Sequence, residues 1–284
     1  KEKDSELIIG TDPDADRCGV VVRNGEEYQA LTGNQIGVLL LDYLITVRKA
    51  KGILPENAAA VKSIVTTPMA NRIFEMNDVS IHEVFTGFKF IGEKIKEFRE
   101  TGEYNFIFGF EESIGFLAGT YARDKDAISA TAALCEAAAY YKQKGMTLWD
   151  AMVAMYEKYG YYKDSVKSIG LSGIEGLAKI QSIMETLRNN TPAEVGGYKV
   201  VSARDYKLDT IRDMETGAVK PTGLPASNVL YYDLEDGAWI CVRPSGTEPK
   251  IKFYFGVKGT SLEDADQKEA DLGAAVMAMV DKMM

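Results

Sequence analysis

Residues 61–110, VKSIVTTPMANRIFEMNDVSIHEVFTGFKFIGEKIKEFRETGEYNFIFGF, alternate short aliphatic runs with longer amphipathic ones. Val61–Thr67 reads as a buried strand, and Pro68 opens a short helix, where a ring without an N–H is tolerated in the first turn. Val79–Phe85 is a second strand, Gly87 starts a helix that runs to about Arg99, and Asn105–Phe110 is a third strand. Strands alternating with helices imply an α/β layer with a mostly parallel sheet, because parallel neighbours need a crossover between them. In such sheets the ligand lies beyond the carboxyl ends of the strands. The turns that follow the strands are therefore where chemistry is expected.

Working outward, Leu7–Gly10 and Gly19–Val22 read as strands on either side of an acidic turn, and Arg23-Asn24-Gly25 reads as a hairpin. Asn34–Lys49 has apolar residues at helical spacing, with Asn34 placed to cap it. Asp124–Lys144 is a long Ala-rich helix, and Thr147–Tyr159 is an amphipathic one ended by Gly160. The pattern then changes. Tyr161–Ile169 is strand-like, Ile174–Arg188 helical, and Asn190-Thr191-Pro192 a break; Tyr198–Ala203, Val229–Asp233, Trp239–Arg243 and Ile251–Val257 are strands before a closing helix from about Leu262. The expected fold class is α/β: a Rossmann-like three-layer domain with a mostly parallel sheet, followed by an α+β C-terminal domain.

The 284 residues suffice for two domains with part of a third, at an ordinary 46 % apolar and 26 % charged content. Net charge is 33 − 42 = −9, which argues against a nucleic-acid surface, since phosphate backbones need a basic footprint. Focused Arg and Lys residues can still hold one phosphate. Cys18, Cys135 and Cys241 are isolated and lack metal spacing, so idle thiols in a reducing cytoplasm are expected. No apolar run reaches the roughly 18 residues that span a bilayer, and the opening Lys, Glu and Asp are unlike a signal peptide. Without an initiator Met, and opening almost directly on a core strand, the chain reads as a piece of something longer.

Four turns carry chemistry. Thr11-Asp12-Pro13-Asp14-Ala15-Asp16-Arg17 crowds three carboxylates that repel one another unless a cation neutralises them, and hard cations such as Mg²⁺ prefer such oxygens. A solvated acidic turn is the plain alternative. A calcium loop is excluded: its sixth position, a Gly, and its last, a Glu about twelve residues in, are Arg17 and Arg23 here. In Thr86-Gly87-Phe88-Lys89, a Gly at a helix start lets backbone N–H groups approach an anion or hydroxyl. In Gly109–Gly115, Glu111, Glu112 and Ser113 suit recognition of vicinal sugar hydroxyls, with a solvated loop as the alternative. In Arg123-Asp124-Lys125-Asp126 a Lys between acids could move protons or hold phosphate, or simply belong to a charged helix start. The fourth turn, Arg243–Lys250 (RPSGTEPK), offers a guanidinium fork, two hydroxyls and free backbone N–H groups, a compact anion nest.

These turns, in this order, resemble the α-D-phosphohexomutase superfamily, the phosphoglucomutases and phosphomannomutases, over nearly the whole chain. That resemblance implies four domains around one cleft, and phosphoryl transfer between the 1- and 6-positions of a hexose through a phosphoserine. It implies that Asp12, Asp14 and Asp16 bind Mg²⁺, with Arg17 beside the reacting phosphate. Glu111 and Ser113 would grip sugar hydroxyls, and Thr86, Gly87 and Lys89 would help read sugar orientation. Arg243, Ser245, Gly246 and Thr247 would hold the non-reacting phosphate, and Lys125 matches a Lys discussed as a proton carrier. Implied ligands are a glucose or mannose phosphate, with a hexose 1,6-bisphosphate as primer, in a cytoplasmic enzyme with no nucleic-acid or membrane partner.

Two features depart from the family. Pro13 stands where the metal loop usually has Gly, which restrains the turn and leaves its three carboxylates. The nucleophile loop, Thr/Ser-x-Ser-His-Asn-Pro, is absent: the only His is His82, no Asn-Pro pair exists, and Ser63, Ser80 and Ser129 have no comparable setting. Residues 1–29 would then be the tail of the second domain, 30–160 the third and 161–284 the fourth, inactive alone as a mutase. A non-catalytic phosphosugar-binding module, and a phosphatase using Asp12 as nucleophile, are the rival readings.

Overall fold

The computed structural model describes residues 4–246 and 248–284, and the chain divides after Gly160 into two compact units. The first unit opens with an antiparallel meander, β1 (Leu7–Thr11), β2 (Cys18–Asn24) and β3 (Glu27–Leu31). Cys18, Val20 and Val22 alternate inward along β2, as the two-residue period of a half-buried strand requires. The hairpin from β2 to β3 turns at Gly25, whose φ of +60° suits a residue without Cβ.

Helix α1 (Gly33–Ala50) follows, then β4 (Ala58–Ser63), α2 (Met69–Asn77), β5 (Ser80–Val84), α3 (Phe88–Thr101), β6 (Asn105–Glu111) and β7 (Gly115–Leu117). β4 lies between β5 and β6 and is parallel to both; β7 adds an antiparallel edge to β6. Helices cover both faces. Ala59 and Val61 pack on Phe88, Ile91, Ile95 and Phe98 of α3, while the Phe110 ring lies against Gly37 of α1. Helices α4 (Ala127–Lys142) and α5 (Leu148–Tyr159) complete this α/β layer.

The second unit is α+β. It contains β8 (Tyr161–Gly170), α6 (Gly173–Asn189), β9 (Glu194–Val195), β10 (Tyr198–Asp205), β11 (Thr210–Asp213), β12 (Val219–Lys220), β13 (Leu230–Leu234), β14 (Trp239–Pro244), β15 (Lys250–Gly259) and α7 (Leu262–Asp281). The main sheet is antiparallel in the order β12-β11-β10-β13-β14-β15-β8, with β9 paired to β10. Leu230, Tyr232, Ile240, Val242, Phe253 and Phe255 form one face, sealed by Ile183 and Leu187 of α6 and Leu272 and Val276 of α7.

Three local expectations change. The strand expected at Val61–Thr67 starts three residues earlier and stops at Ser63. Ile64–Thr67 instead fold into a buried turn, in which the Thr66 N–H donates to the Ser63 carbonyl at 3.0 Å. Its β-branched residues imitate a strand, whereas Ala58–Ala60 carry little strand propensity and are buried only through tertiary packing. The cap of α1 is Thr32, in a reciprocal capping box with Gln35. Asn34 sits inside the first turn, and its side-chain oxygen accepts from the Thr67 N–H at 3.2 Å. Helix α4 begins at Ala127, not Asp124, because Asp126 caps it by accepting from the Ile128 N–H.

Candidate active site

The carboxyl ends of β4, β5 and β6 bring together three turns: Ser63–Thr67, Thr86–Lys89 and Glu111–Gly115. Glu111, buried at 6 % exposure, accepts from the Gly87 N–H through Oε1 at 2.5 Å. The two turns expected to read the sugar are thus tied to each other. Gly87 has φ +121°, a backbone conformation that disfavours any side chain. Thr86 and Ser113 are half-buried here, and Lys89 is exposed with its ammonium 4.8 Å from the Phe90 ring centroid. Glu112 accepts from the Ser63 hydroxyl at 3.3 Å, and Ser63 shares a 2.8 Å hydrogen bond with Thr66.

The acidic turn docks on the same end. Arg17 bridges Gly115, the Cys18 N–H donates to the Ile114 carbonyl at 3.3 Å, and the Ala127 N–H donates to the Ala15 carbonyl at 3.0 Å. Within the turn, Asp12 Oδ1 accepts from the Asp16 and Arg17 N–H groups at 3.1 and 3.0 Å. The Arg17 amide above all, against the opposing effect of burial, holds the Asp12 carboxyl below the usual carboxylate range. Oxygens of Asp12, Asp14 and Asp16 lie within 4.8 Å of one another. Three hard oxygen donors in that space fit Mg²⁺. The Cys18 thiol beneath the turn is pushed up to about 11 by burial and by the charge on Asp12, an inert group.

Lys125 reaches into this cluster, its ammonium 2.9 Å from Asp16 Oδ2 and 3.0 Å from Asp124 Oδ1. Burial disfavours its charge, but the bonds from Asp16 and Asp124 outweigh that and raise its pKa above the ordinary lysine value. Arg17 stays half-exposed, with Nε 3.7 Å from Asp16 Oδ1.

In the second unit, Arg243 is the penultimate residue of β14 and Lys250 starts β15, so the anion turn is a hairpin loop. The Ser245 N–H donates to the Lys250 carbonyl at 2.7 Å, and the Ser245 hydroxyl accepts from the Glu248 N–H at 3.3 Å. Lys250 pairs with Glu248 at 3.1 Å, whereas Arg243 makes no hydrogen bond or ion pair to a described residue. Gly246 is exposed with open space on its side-chain side. Thr247, expected in the same nest, lies outside the described residues.

Two residues escaped the sequence reading. Lys252 stands directly across from Arg243 in the β14–β15 register, and the alternation Lys250-Ile251-Lys252 could have signalled it. Lys62 is buried on β4, where it pairs with Glu83 at 3.0 Å and donates to the Thr66 carbonyl at 2.8 Å. A lone Lys inside the run Val61–Val65 was its signal.

Family models for phosphoglucomutase/phosphomannomutase match on both units: alpha/beta/alpha domain III over residues 32–159, and the C-terminal domain over 181–272. The chain belongs to the α-D-phosphohexomutase superfamily. A Staphylococcus epidermidis phosphoglucomutase is 39 % identical over 269 residues, which cover 94 % of this chain and 48 % of that protein. The chain thus spans about half the length of the curated relatives it matches. The open form of parafusin, a Paramecium phosphoglucomutase, superposes on 98 % of this chain and 45 % of its own with a TM-score of 0.64 at 18 % identity. An N-acetylphosphoglucosamine mutase from Aspergillus fumigatus, in complex with glucose 1,6-bisphosphate, aligns over 95 % of this chain and 48 % of its own, with a TM-score of 0.50 at 15 % identity. These phosphohexomutases share the fold of both units.

Proposed function

We propose that this chain is the metal-, sugar- and phosphate-holding portion of a phosphoglucomutase or phosphomannomutase. The observation that carries the reading is the docking of the acidic turn onto the Glu111–Gly115 loop, beside Lys125 and beyond the carboxyl ends of the parallel strands. Asp12, Asp14 and Asp16 would hold Mg²⁺, which when bound offsets charge on a phosphoryl group. Arg17, half-exposed next to Asp16, would face the reacting phosphate. Glu111 and Ser113 would accept and donate to sugar hydroxyls, with Thr86, Gly87 and Lys89 orienting the ring. Arg243, with Ser245, Gly246 and Thr247, would take the non-reacting phosphate, where a guanidinium without a partner among the described residues suits an anion. Lys125 would give or take a proton at the transferred oxygen.

The same proposal assigns residues 1–29 to the tail of a second domain, 30–160 to the third and 161–284 to the fourth. Phosphoryl transfer would run through a serine outside this chain, primed by a hexose 1,6-bisphosphate such as the one bound by the Aspergillus relative. Most of the work would then be positioning and electrostatics. A cytoplasmic location belongs to this reading, supported by three free cysteines. The test is conversion of glucose 1-phosphate to 6-phosphate with Mg²⁺ and glucose 1,6-bisphosphate, by this chain and by an N-terminally extended form. The expected outcome is turnover only by the extended form, and turnover by this chain alone would overturn the assignment of the nucleophile.

A further inference from the structure

We propose that Lys125 is the built-in counter-cation of the acidic turn, and that its ammonium leaves Asp16 when a divalent cation engages all three aspartates. The inference rests on reading Asp12, Asp14 and Asp16 as metal ligands. Both oxygens of Asp16 already face cations, Oδ2 with Lys125 Nζ at 2.9 Å and Oδ1 with Arg17 Nε at 3.7 Å. Asp12 turns one oxygen inward to two backbone amides. Asp16 is therefore the ligand whose recruitment requires another positive charge to move.

The placement of Lys125 is built by its surroundings. Its aliphatic stem lies so close over Gly115 that a Cβ there would sit 2.4 Å from Lys125 Cδ. Its ammonium lies 5.7 Å from the Phe88 ring centroid, and the side chain is 11 % exposed. An exposed ion pair gains little because ordering two long side chains offsets the attraction. Here the packed stem has already ordered the arm, so the contact with Asp16 is retained. Asp124 Oδ1, at 3.0 Å, offers a second seat for the ammonium once Asp16 is taken. The stem lies over Gly115 of the Glu111–Gly115 loop, and the ammonium stands near Phe88, which follows Thr86 and Gly87 in the chain. Cation binding at the turn is thereby linked to the position of a positive charge at the sugar-reading turns.

Mn²⁺, an oxygen-seeking paramagnetic ion, tests this on the chain itself by EPR titration and calorimetry. Lys125→Met should bind Mn²⁺ about tenfold more tightly, since a competing charge in contact with a ligand is gone. Lys125→Arg, which keeps a cation, should stay near wild type. In an Asp16→Asn background the Lys125→Met gain should vanish, because Lys125 then has no ligand carboxylate to yield. Lys125→Gln serves the same cycle if the Met variant fails to fold. Unchanged or weaker binding by the neutral variants overturns the proposal, as does an equal gain in the Asp16→Asn background. No Mn²⁺ binding by any variant overturns the metal reading as well, which separates the two failures.

Discussion

The acidic turn and the anion turn are both short loops after strands, but they are held in opposite ways. The acidic turn is braced by the rest of its unit, through backbone bonds to Ile114 and Ala127 and an ion pair with Lys125. The anion turn is braced by itself, through Ser245, Glu248 and Lys250. Charge follows the same division. At the acidic turn, cations are already seated against Asp16. At the anion turn, Arg243 and Lys252 face each other across β14 and β15, and neither pairs with an acid among the described residues. Like charges directly opposed on a sheet repel. Among the described residues, one loop has its charge compensated by the fold, and the other does not.

The sharpest way to break this comparison is Gly33→Ala. A Cβ at Gly33 would lie 2.0 Å from the Glu112 carbonyl oxygen and 2.7 Å from the Ile114 nitrogen, backbone atoms that cannot rotate away. We expect the first unit to lose ~3 kcal/mol of stability while the second is unchanged. Trp149 and Trp239 are the two tryptophans and lie one in each unit, so urea unfolding in single-tryptophan backgrounds reads them separately. An equal loss in both units would show that the Glu111–Gly115 loop is not the first unit's own brace.

Arg243→Ala probes the other side. On the proposed role of Arg243 a charged hydrogen-bond donor to phosphate would be removed, so affinity for glucose 1-phosphate or inorganic phosphate should fall about thirtyfold, with the unfolding midpoint of the second unit unmoved. Retained phosphate binding would dismiss the anion turn as a site.

The smallest expected effect is a pH slope confined to the first unit. His82 lies between Phe98 and Tyr104 at ring-centroid distances of 4.8 and 4.6 Å, and its buried Nε2 has no partner among the described residues. Burial, then the nearby Lys94 charge, lowers its pKa from 6.5. The unfolded chain therefore takes the proton first. Stability of the first unit should be level above the ordinary histidine range, fall as pH drops through it, and level off below the folded pKa. His82→Phe should flatten that slope, and the second unit, which has no histidine, should show none.

Much of this was legible in the chain. The alternation over residues 61–110 expresses burial of strands on both faces, a local property of side-chain pattern. The turns stood out because three aspartates, or an Arg with two hydroxyls and a Gly, are chemically distinctive at any position. The errors fell where tertiary packing overrides local preference: Ala58–Ala60 as strand, Ile64–Thr67 as turn, and Thr32 in place of Asn34 as cap.

By itself, then, the sequence determined the class of the fold, the order of its elements and the chemistry each turn can offer, since these depend on residues near one another in the chain. The tertiary structure alone decided which of those groups meet. That Lys125 sits on Asp16, that Glu111 ties down Gly87, and that Lys252 opposes Arg243 all depend on strand register and on the packing of distant elements. No local pattern encodes those contacts, because they exist only once buried surfaces have chosen their partners.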